Sequence, residues 1–375
     1  KGKTTPEIDG IVWNTSKKKI EAVYGLCRRG YKYSPLRRIY IPKKNGKMRP
    51  LSIPVMSDRA QQALHLLALI PIAETTADKN SYGFRPHRQT ADAIEQCFIV
   101  LSRKNSPQWI LEGDIKACFD GISHRWLLNN VPMDKGVLNQ WLCAGYVDGS
   151  QLYPSQAGTP QGGISSPCLA NIALDGLEAA VKSASPANSK VNFIRYADDF
   201  IVTCSSDRIL RDNIKPAITS FLNERDLTLS EEKTSITHIN EGFDFLGQNV
   251  RKYKNKLLIT PSKGSTKSIL TKVKEIINSH RGKATDILIR KLNPVIRGWA
   301  NYHRHVVSKK TFSFLRHRFF KYLWRWAIKR HPHKGKRWIR RKYFKSVGAD
   351  NWTFSCLIEK NERNIFLQLF DISAV

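Results

Sequence analysis

Three aspartates are the residues of this sequence best suited to chemistry. Asp114 ends the short run Trp109-Ile110-Leu111-Glu112-Gly113, and Asp198-Asp199 stand between Phe193-Ile194-Arg195-Tyr196 and Phe200-Ile201-Val202. Nucleotidyl transfer by two metal ions needs a few carboxylates converging on a Mg²⁺ pair about 3.5–4 Å apart. One ion activates the attacking oxygen and the other holds a triphosphate. Adjacent side chains on a flat strand point to opposite faces, so neighbouring carboxylates can approach one site only at the tip of a hairpin. Taken alone, Asp-Asp is equally well explained as a polar turn. The second strand-end Asp, and apolar flanks that leave these acids in need of a counter-ion, turn the reading toward metal.

The elements that must position the acids follow from pattern. Trp109–Leu111 reads as a strand and 191–204 as a strand pair. The region between them is helical but is interrupted by QAGTPQGGISSP (156–167), whose Gly and Pro forbid a continuous helix. With a helix at about 209–225 and a strand at Phe243–Leu246, the order is that of a ferredoxin-like α+β sandwich, a palm-like sheet with helices on one face. Upstream, a helix is expected over 17–29. The strand Arg38–Pro42 then turns through Lys43-Lys44-Asn45-Gly46-Lys47 into a returning strand Leu51–Pro54. Ala60, Leu64, Leu67 and Ala68 have helical spacing, 80–89 is loop-like, and Ile94, Phe98 and Leu101 share a face of a helix near 90–103.

From about 264 the character changes. Ile269, Leu270, Val273, Ile276 and Ile277 mark one amphipathic helix, Leu288, Leu292, Ile296 and Trp299 a second, and Phe312, Leu315, Phe319 and Leu323 a third. Charge follows the same division. Of the net +31, residues 251–345 carry +27, from 29 Lys and Arg against 2 acids, and the other 280 residues carry +4. A nearly neutral body joined to a cationic module excludes a uniformly basic chain and calls for a polyanionic partner. Trp299, Tyr302, Trp324, Trp326, Trp338 and Tyr343 interleave the charge, as in nucleic-acid binding, with the aromatics serving core packing or base stacking. Trp299 and Trp324 read as core by their helical spacing. An anionic membrane surface fits less well, because no apolar face is left over from the helical core.

Seven scattered Cys with no CxxC pair argue against a disulfide framework and for a reducing intracellular setting. No apolar run approaches the ~20 residues of a membrane span. The first residue is Lys, and 1–10 reads like loop interior, so an upstream extension is expected.

YADD at 196–199 resembles the reverse transcriptase of mobile group II introns, and so do other blocks in order along the chain. These are KTTPEIDG (3–10), PLRRIYIPKKNGKMRPLSIP (35–54), DRAQQ (58–62), NSYGFRPHRQ (80–89), LEGDIKACFD (111–120), GTPQGGISSP (158–167), LTLSEEKT (227–234), FDFLG (243–247) and LNPVIRGWANY (292–302). The resemblance implies a right-hand polymerase: fingers over 1–105, palm over 106–250, a basic three-helix thumb or maturase X domain over 264–330, and a nucleic-acid-binding segment over 331–375. It implies that Asp114 and Asp198 bind two Mg²⁺, with Asp199 supporting and the Ile115 carbonyl assisting. Lys43 and Arg49 would clamp the dNTP triphosphate, and Phe119 would exclude a 2′-hydroxyl. Gln161 would contact nucleotide or template, Lys233 the primer or template backbone, and Arg85 and Arg88 template phosphates. Expected partners are group II intron RNA, an RNA template with DNA primer, and target DNA, with no membrane. Ser52, Glu7 and Asp226 stand where the family often has Gly. No paired-Cys endonuclease motif follows residue 345, and His331-Pro332-His333 and His303-Arg304-His305 lack partners for zinc, so these His read as solvated or phosphate-facing. Two rival readings share the blocks: a splicing maturase with vestigial polymerase, and a reverse transcriptase of CRISPR adaptation or phage defence. The intact acids oppose the first, and no fused integrase supports the second.

Overall fold

A computed structural model describes residues 6–375 except 28, 44, 45, 47, 348, 349, 361 and 362. The start of the first sequence block and three residues of the expected turn, Lys44, Asn45 and Lys47, lie outside the described residues. The chain forms two compact units, Lys1–His238 and Ile239–Val375.

The strands of the first unit are β1 (Leu36–Pro42), β2 (Met48–Ile53), β3 (Trp109–Asp114), β4 (Tyr146–Asp148), β5 (Gln151–Tyr153), β6 (Asn192–Tyr196), β7 (Asp199–Cys204) and β8 (Ser235–His238). One sheet has the order β6-β7-β3-β8, antiparallel throughout. The first strand in sequence lies between the third and the fourth, with helices in both long connections, which is the ferredoxin-like topology expected. Leu111, Phe193 and Val202 are fully buried and pack in one core with Leu169, Leu174, Ile214, Ile218 and Leu222 from helices, and Ile110, Ile194 and Ile201 of the same strands are fully buried too. The other sheet, β2-β1-β4-β5, joins the β1–β2 hairpin to a parallel pairing of β1 with β4.

The helix Met56–Thr76 forms where expected, but turns a different face inward. Asp58, Gln61, Gln62, Leu66, Leu69 and Ala73 are buried, while Leu67 is 74% exposed. The polar members of that face are loop anchors. Asp58 accepts from Tyr31 Oη (2.9 Å) and Ser34 N (3.0 Å), and Gln61 donates to Cys27 O (3.1 Å). Gln62 accepts from Ile164 N (2.8 Å) and donates to Tyr33 Oη (3.1 Å). Asp58, Gln61 and Gln62 of the DRAQQ block are thus buried polar pegs, each tied to a loop by at least one hydrogen bond. Phe98, expected on the inward face of Thr90–Leu101, is half exposed; Ala93, Ile94, Cys97 and Leu101 face inward.

The second unit opens with β9 (Phe243–Phe245), β10 (Gln248–Tyr253) and β11 (Lys256–Pro261), a sheet of their own. Phe243–Leu246 therefore does not extend the first unit's sheet. Positive φ at Leu246 and Gly247 folds it straight back onto β10, a local pairing that wins over a distant one. The three expected helices are Lys263–Ser279, Thr285–His303 and Lys309–Arg330. They bury Ile269, Val273 and Ile277, then Leu288, Leu292 and Ile296, then Phe312, Leu315, Phe319 and Leu323, around one core. Strands β12 (Phe344–Val347), β13 (Asp350–Lys360) and β14 (Arg363–Gln368) form a terminal antiparallel sheet after the helix Lys336–Tyr343.

Candidate active site

The acids meet because of strand register. Asp114, the last residue of β3, is directly opposite Asp199, the first of β7, and Tyr196 pairs with Asp199 to leave Ala197-Asp198 as a two-residue hairpin loop. Ala197 has φ 58°, the left-handed conformation needed at such a loop, and Ile115 N donates to Asp198 O (3.3 Å), which ties the tip to β3. One place back, Gly113 faces Phe200, whose ring lies 2.2 Å from where a Cβ on residue 113 would stand. Glu-Gly-Asp and Asp-Asp-Phe are therefore two halves of one packing solution: the glycine makes room for the aromatic under the acids.

The electrostatics report a concentrated negative charge. Burial in the first place, then Asp198 and Asp114, push the Asp199 carboxyl up to about 7, with a hydrogen bond to Asp114 contributing. Asp198 is raised by burial and by Asp114, against the opposing influence of Lys233 and Arg49. Lys233 Nζ donates to both Asp114 oxygens at 2.8 Å, and that hydrogen bond raises the ammonium pKa. Among the described residues no three His, Cys, Asp or Glu side chains close into a ready metal cluster. The lysine takes both oxygens of Asp114 instead. Even so, carboxylates that resist ionising beside one another are a donor set that a divalent cation relieves, and in this sense the residues fit Mg²⁺.

The glycine-rich loop docks beside the acids. Gly158 N donates to Ile122 O (2.8 Å), Thr159 N to Phe119 O (2.6 Å), and the His124 Nε2 lies 2.9 Å from Gly158 O. Ser52 N of β2 donates to Gln161 O (2.7 Å), and Gly162, at φ 129°, is so near Ser52 O that a Cβ would stand at 2.9 Å. Gln161 Nε2 reaches Asp120 Oδ2 at 3.3 Å. Asp120 is raised by burial and countered by Arg38, Lys43 and Arg49, so the cations of the β1–β2 hairpin face this segment. Phe119, half-buried on the short helix Cys118–Gly121, stacks edge-to-face on Phe84 with ring centroids 5.9 Å apart. The structure thus gathers Asp114, Ile115, Asp198, Asp199, Phe119, Gln161, Lys43, Arg49 and Lys233 around the ends of β3 and β7.

Arg85 is placed otherwise than the sequence suggests. Arg85 is buried; Nε and Nη2 engage Glu74 (2.7–3.1 Å), and Nη1 donates to Asp78 O and Ser81 O. With four of its five N–H groups consumed, it staples its own loop and is not presented to a phosphate. Arg88 is partly exposed and uses only Nη1 on the loop, donating to Lys79 O and Ser81 O. His303 is corrected too. It is fully buried, with Nδ1 2.9 Å from Gln248 Oε1 and Nε2 2.9 Å from Ser265 Oγ, and is not a solvated side chain.

The sequence reading missed the frame behind the hairpin. Arg195 is fully buried on β6; Nη1 donates to Asn171 Oδ1 (3.1 Å) and Ala197 O (3.3 Å), and Nη2 to Asp175 Oδ1 (2.8 Å). Asn171 in turn donates to Gly83 O (2.9 Å), while Arg195 N and O pair with Asn80 O and Tyr82 N at 2.9 Å. The signal was present: a single Arg in an otherwise apolar strand whose two faces are both covered must carry its own counter-charge.

Residues 41–250 match the family described as Reverse transcriptase (RNA-dependent DNA polymerase), and residues 266–344 match the Group II intron, maturase-specific domain. Protein YkfC of Escherichia coli (strain K12) is 31% identical over 292 residues, covering 67% of this chain and 77% of YkfC. Group II intron-encoded protein LtrA of Lactococcus lactis subsp. cremoris is 30% identical over 319 residues, covering 67% of this chain; the chain thus spans about half of LtrA, 53% of its length. Among solved structures, apo telomerase from Candida Tropicalis aligns with 83% of this chain and 65% of its own at a TM-score of 0.50 and 14% identity, a likeness of fold alone. The chain belongs to the group II intron reverse transcriptase and maturase family.

Proposed function

We propose that the chain is an RNA-directed DNA polymerase that extends a DNA primer on an RNA template from dNTPs, within a ribonucleoprotein containing group II intron RNA. The observation that carries this is the pairing of Asp114 with Asp199 beside Asp198, facing the cations of the β1–β2 hairpin. Asp114 and Asp198 would hold two Mg²⁺, with Asp199 and the Ile115 carbonyl in support. Bound there, the ions supply activation of the primer 3′ oxygen and neutralisation of the triphosphate. Arg49 would grip the triphosphate as a fork and Lys43 as a point charge. Phe119 would stand against the sugar where a 2′-hydroxyl needs room, and Gln161 would orient the nucleotide or its template partner. Lys233 neutralises Asp114 in the free protein and would serve the primer or template backbone once the acids are engaged by cations.

The second unit would grip template–primer and intron RNA, so that the protein assists splicing and then copies the RNA from a target-DNA primer. Supporting this, Arg337, Arg340, Arg341 and Lys345 line one groove with Phe344, Lys342 Nζ lies 4.8 Å from the Trp338 ring and Arg340 4.4 Å from that of Trp352. Among the described residues no helix is long and apolar enough to cross a membrane.

The test is primer extension on an RNA template by Asp198→Asn. Extension is expected to disappear while RNA binding stays near wild type; a mutant that extends normally would remove these acids from the mechanism.

A further inference from the structure

Phe84 has φ 61°, in the left-handed region that a bulky side chain rarely adopts, and it is 53% exposed. Hydrophobic burial does not account for a residue that is both strained and half in water. Such strain persists only where the surroundings over-determine it. They do so on both sides. Gly83 packs so closely on the acid-bearing hairpin that a Cβ would stand 2.3 Å from Ala197 N, and its carbonyl accepts from buried Asn171. On the other side, Arg85 is locked by Glu74, Asp78 O and Ser81 O. The ring so presented meets Phe119 edge-to-face, at 5.9 Å and 78°.

We propose that Phe84 is a positioning residue for nucleotide selection: its ring holds Phe119 in place at the sugar edge of the incoming nucleotide and so sets the preference for dNTP over NTP. This rests on the reading of Phe119 as the residue that excludes the 2′-hydroxyl. Steric exclusion works only when the excluding ring cannot yield. Phe119 sits on a single helical turn, Cys118–Gly121, packed against the core but with part of its surface open, and a second aromatic adds to what limits its escape. Because Phe84 is fixed to the turn that carries Asp198, the sugar-facing ring and the acids share one rigid frame.

The experiment measures kcat/KM for single incorporation of dCTP and of CTP on an RNA template by wild type, Phe84→Ala, Phe84→Tyr, Phe119→Val and the double variant Phe84→Ala/Phe119→Val. Phe119→Val tests the underlying reading and is expected to favour CTP. Phe84→Ala is expected to lower dCTP/CTP discrimination about 2- to 12-fold, the factor to which an aromatic pair's contribution converts. Its effect should come through a lower KM for CTP with dCTP use little changed, and Phe84→Tyr should retain wild-type discrimination. The double variant should discriminate no worse than Phe119→Val alone. If Phe119→Val alters discrimination while Phe84→Ala slows dCTP and CTP equally, Phe84 is only a loop residue and the proposal is overturned. If Phe119→Val leaves discrimination intact, the reading of Phe119 falls and the role of Phe84 falls with it. Thermal midpoints report folding, and should Phe84→Ala fail to fold, Phe84→Leu, which keeps apolar volume without a ring edge, carries the same comparison.

Discussion

Arg195 shows what single residues contribute that spacing does not. A guanidinium with no solvent contact is tolerable because Asp175, Asn171 and the Ala197 carbonyl engage both of its terminal nitrogens, and all three lie behind the hairpin that bears Asp198. Arg195→Met should therefore cost about 3–5 kcal/mol, since it leaves Asp175 buried without its partner. Adding Asp175→Leu should recover much of that loss. Urea midpoints of the two variants check this, and equal midpoints would mean that the pair is not the unit of stabilisation. Asp114, Asp198 and Asp199 could be read from the sequence because acids at strand ends announce themselves. Arg195 could be suspected from its apolar strand but not paired, because its partner Asp175 lies 20 residues away. Arg85 erred in the opposite direction: a loop arginine looks free until the chain folds Glu74 against it.

Whole elements were legible where one period ran long enough. The helices Lys263–Ser279, Thr285–His303 and Lys309–Arg330 repeat apolar residues at 3.6 spacing over many turns, and their buried faces are those the pattern indicates. The inward face of Met56–Thr76 was not, because glutamines and an aspartate that peg loops are indistinguishable from surface polar residues in sequence. His303 joins Thr285–His303 to β10 through Gln248, and to Lys263–Ser279 through Ser265, which also accepts from Trp299 Nε1 at 3.0 Å. Burial, chiefly, depresses its pKa to about 4 from an ordinary 6.5. A folded-state pKa below the unfolded one means that the unfolded chain binds the proton first. Stability should thus be intact above pH 6.5 and decline as pH falls toward 4, by up to about 3 kcal/mol. Chemical denaturation from pH 7 to 4 should show this decline, and His303→Gln should flatten it. An unchanged slope in that variant would assign the pH dependence elsewhere.

At the scale of the molecule, the excess positive charge and the candidate acids occupy different parts of the chain. The +27 of residues 251–345 should make affinity for structured RNA fall steeply with salt, by about a thousandfold or more between 50 and 200 mM if six or more phosphates are neutralised. A flat salt dependence would count against this segment as the main RNA contact. The Asn80–Tyr82 segment has a further consequence for the protein as a solute. β6 is the outer strand of its sheet, and an outer strand offers unpaired N–H and C=O groups to any extended chain that comes near. Arg195 N and O are already paired with Asn80 O and Tyr82 N, so a loop of the same chain occupies the place that a neighbouring molecule's strand would take. Variants that loosen this loop should therefore clump at high concentration as well as work less well. Light scattering during expression and concentration would then give an early sign of damage to the frame behind the Asp198 hairpin.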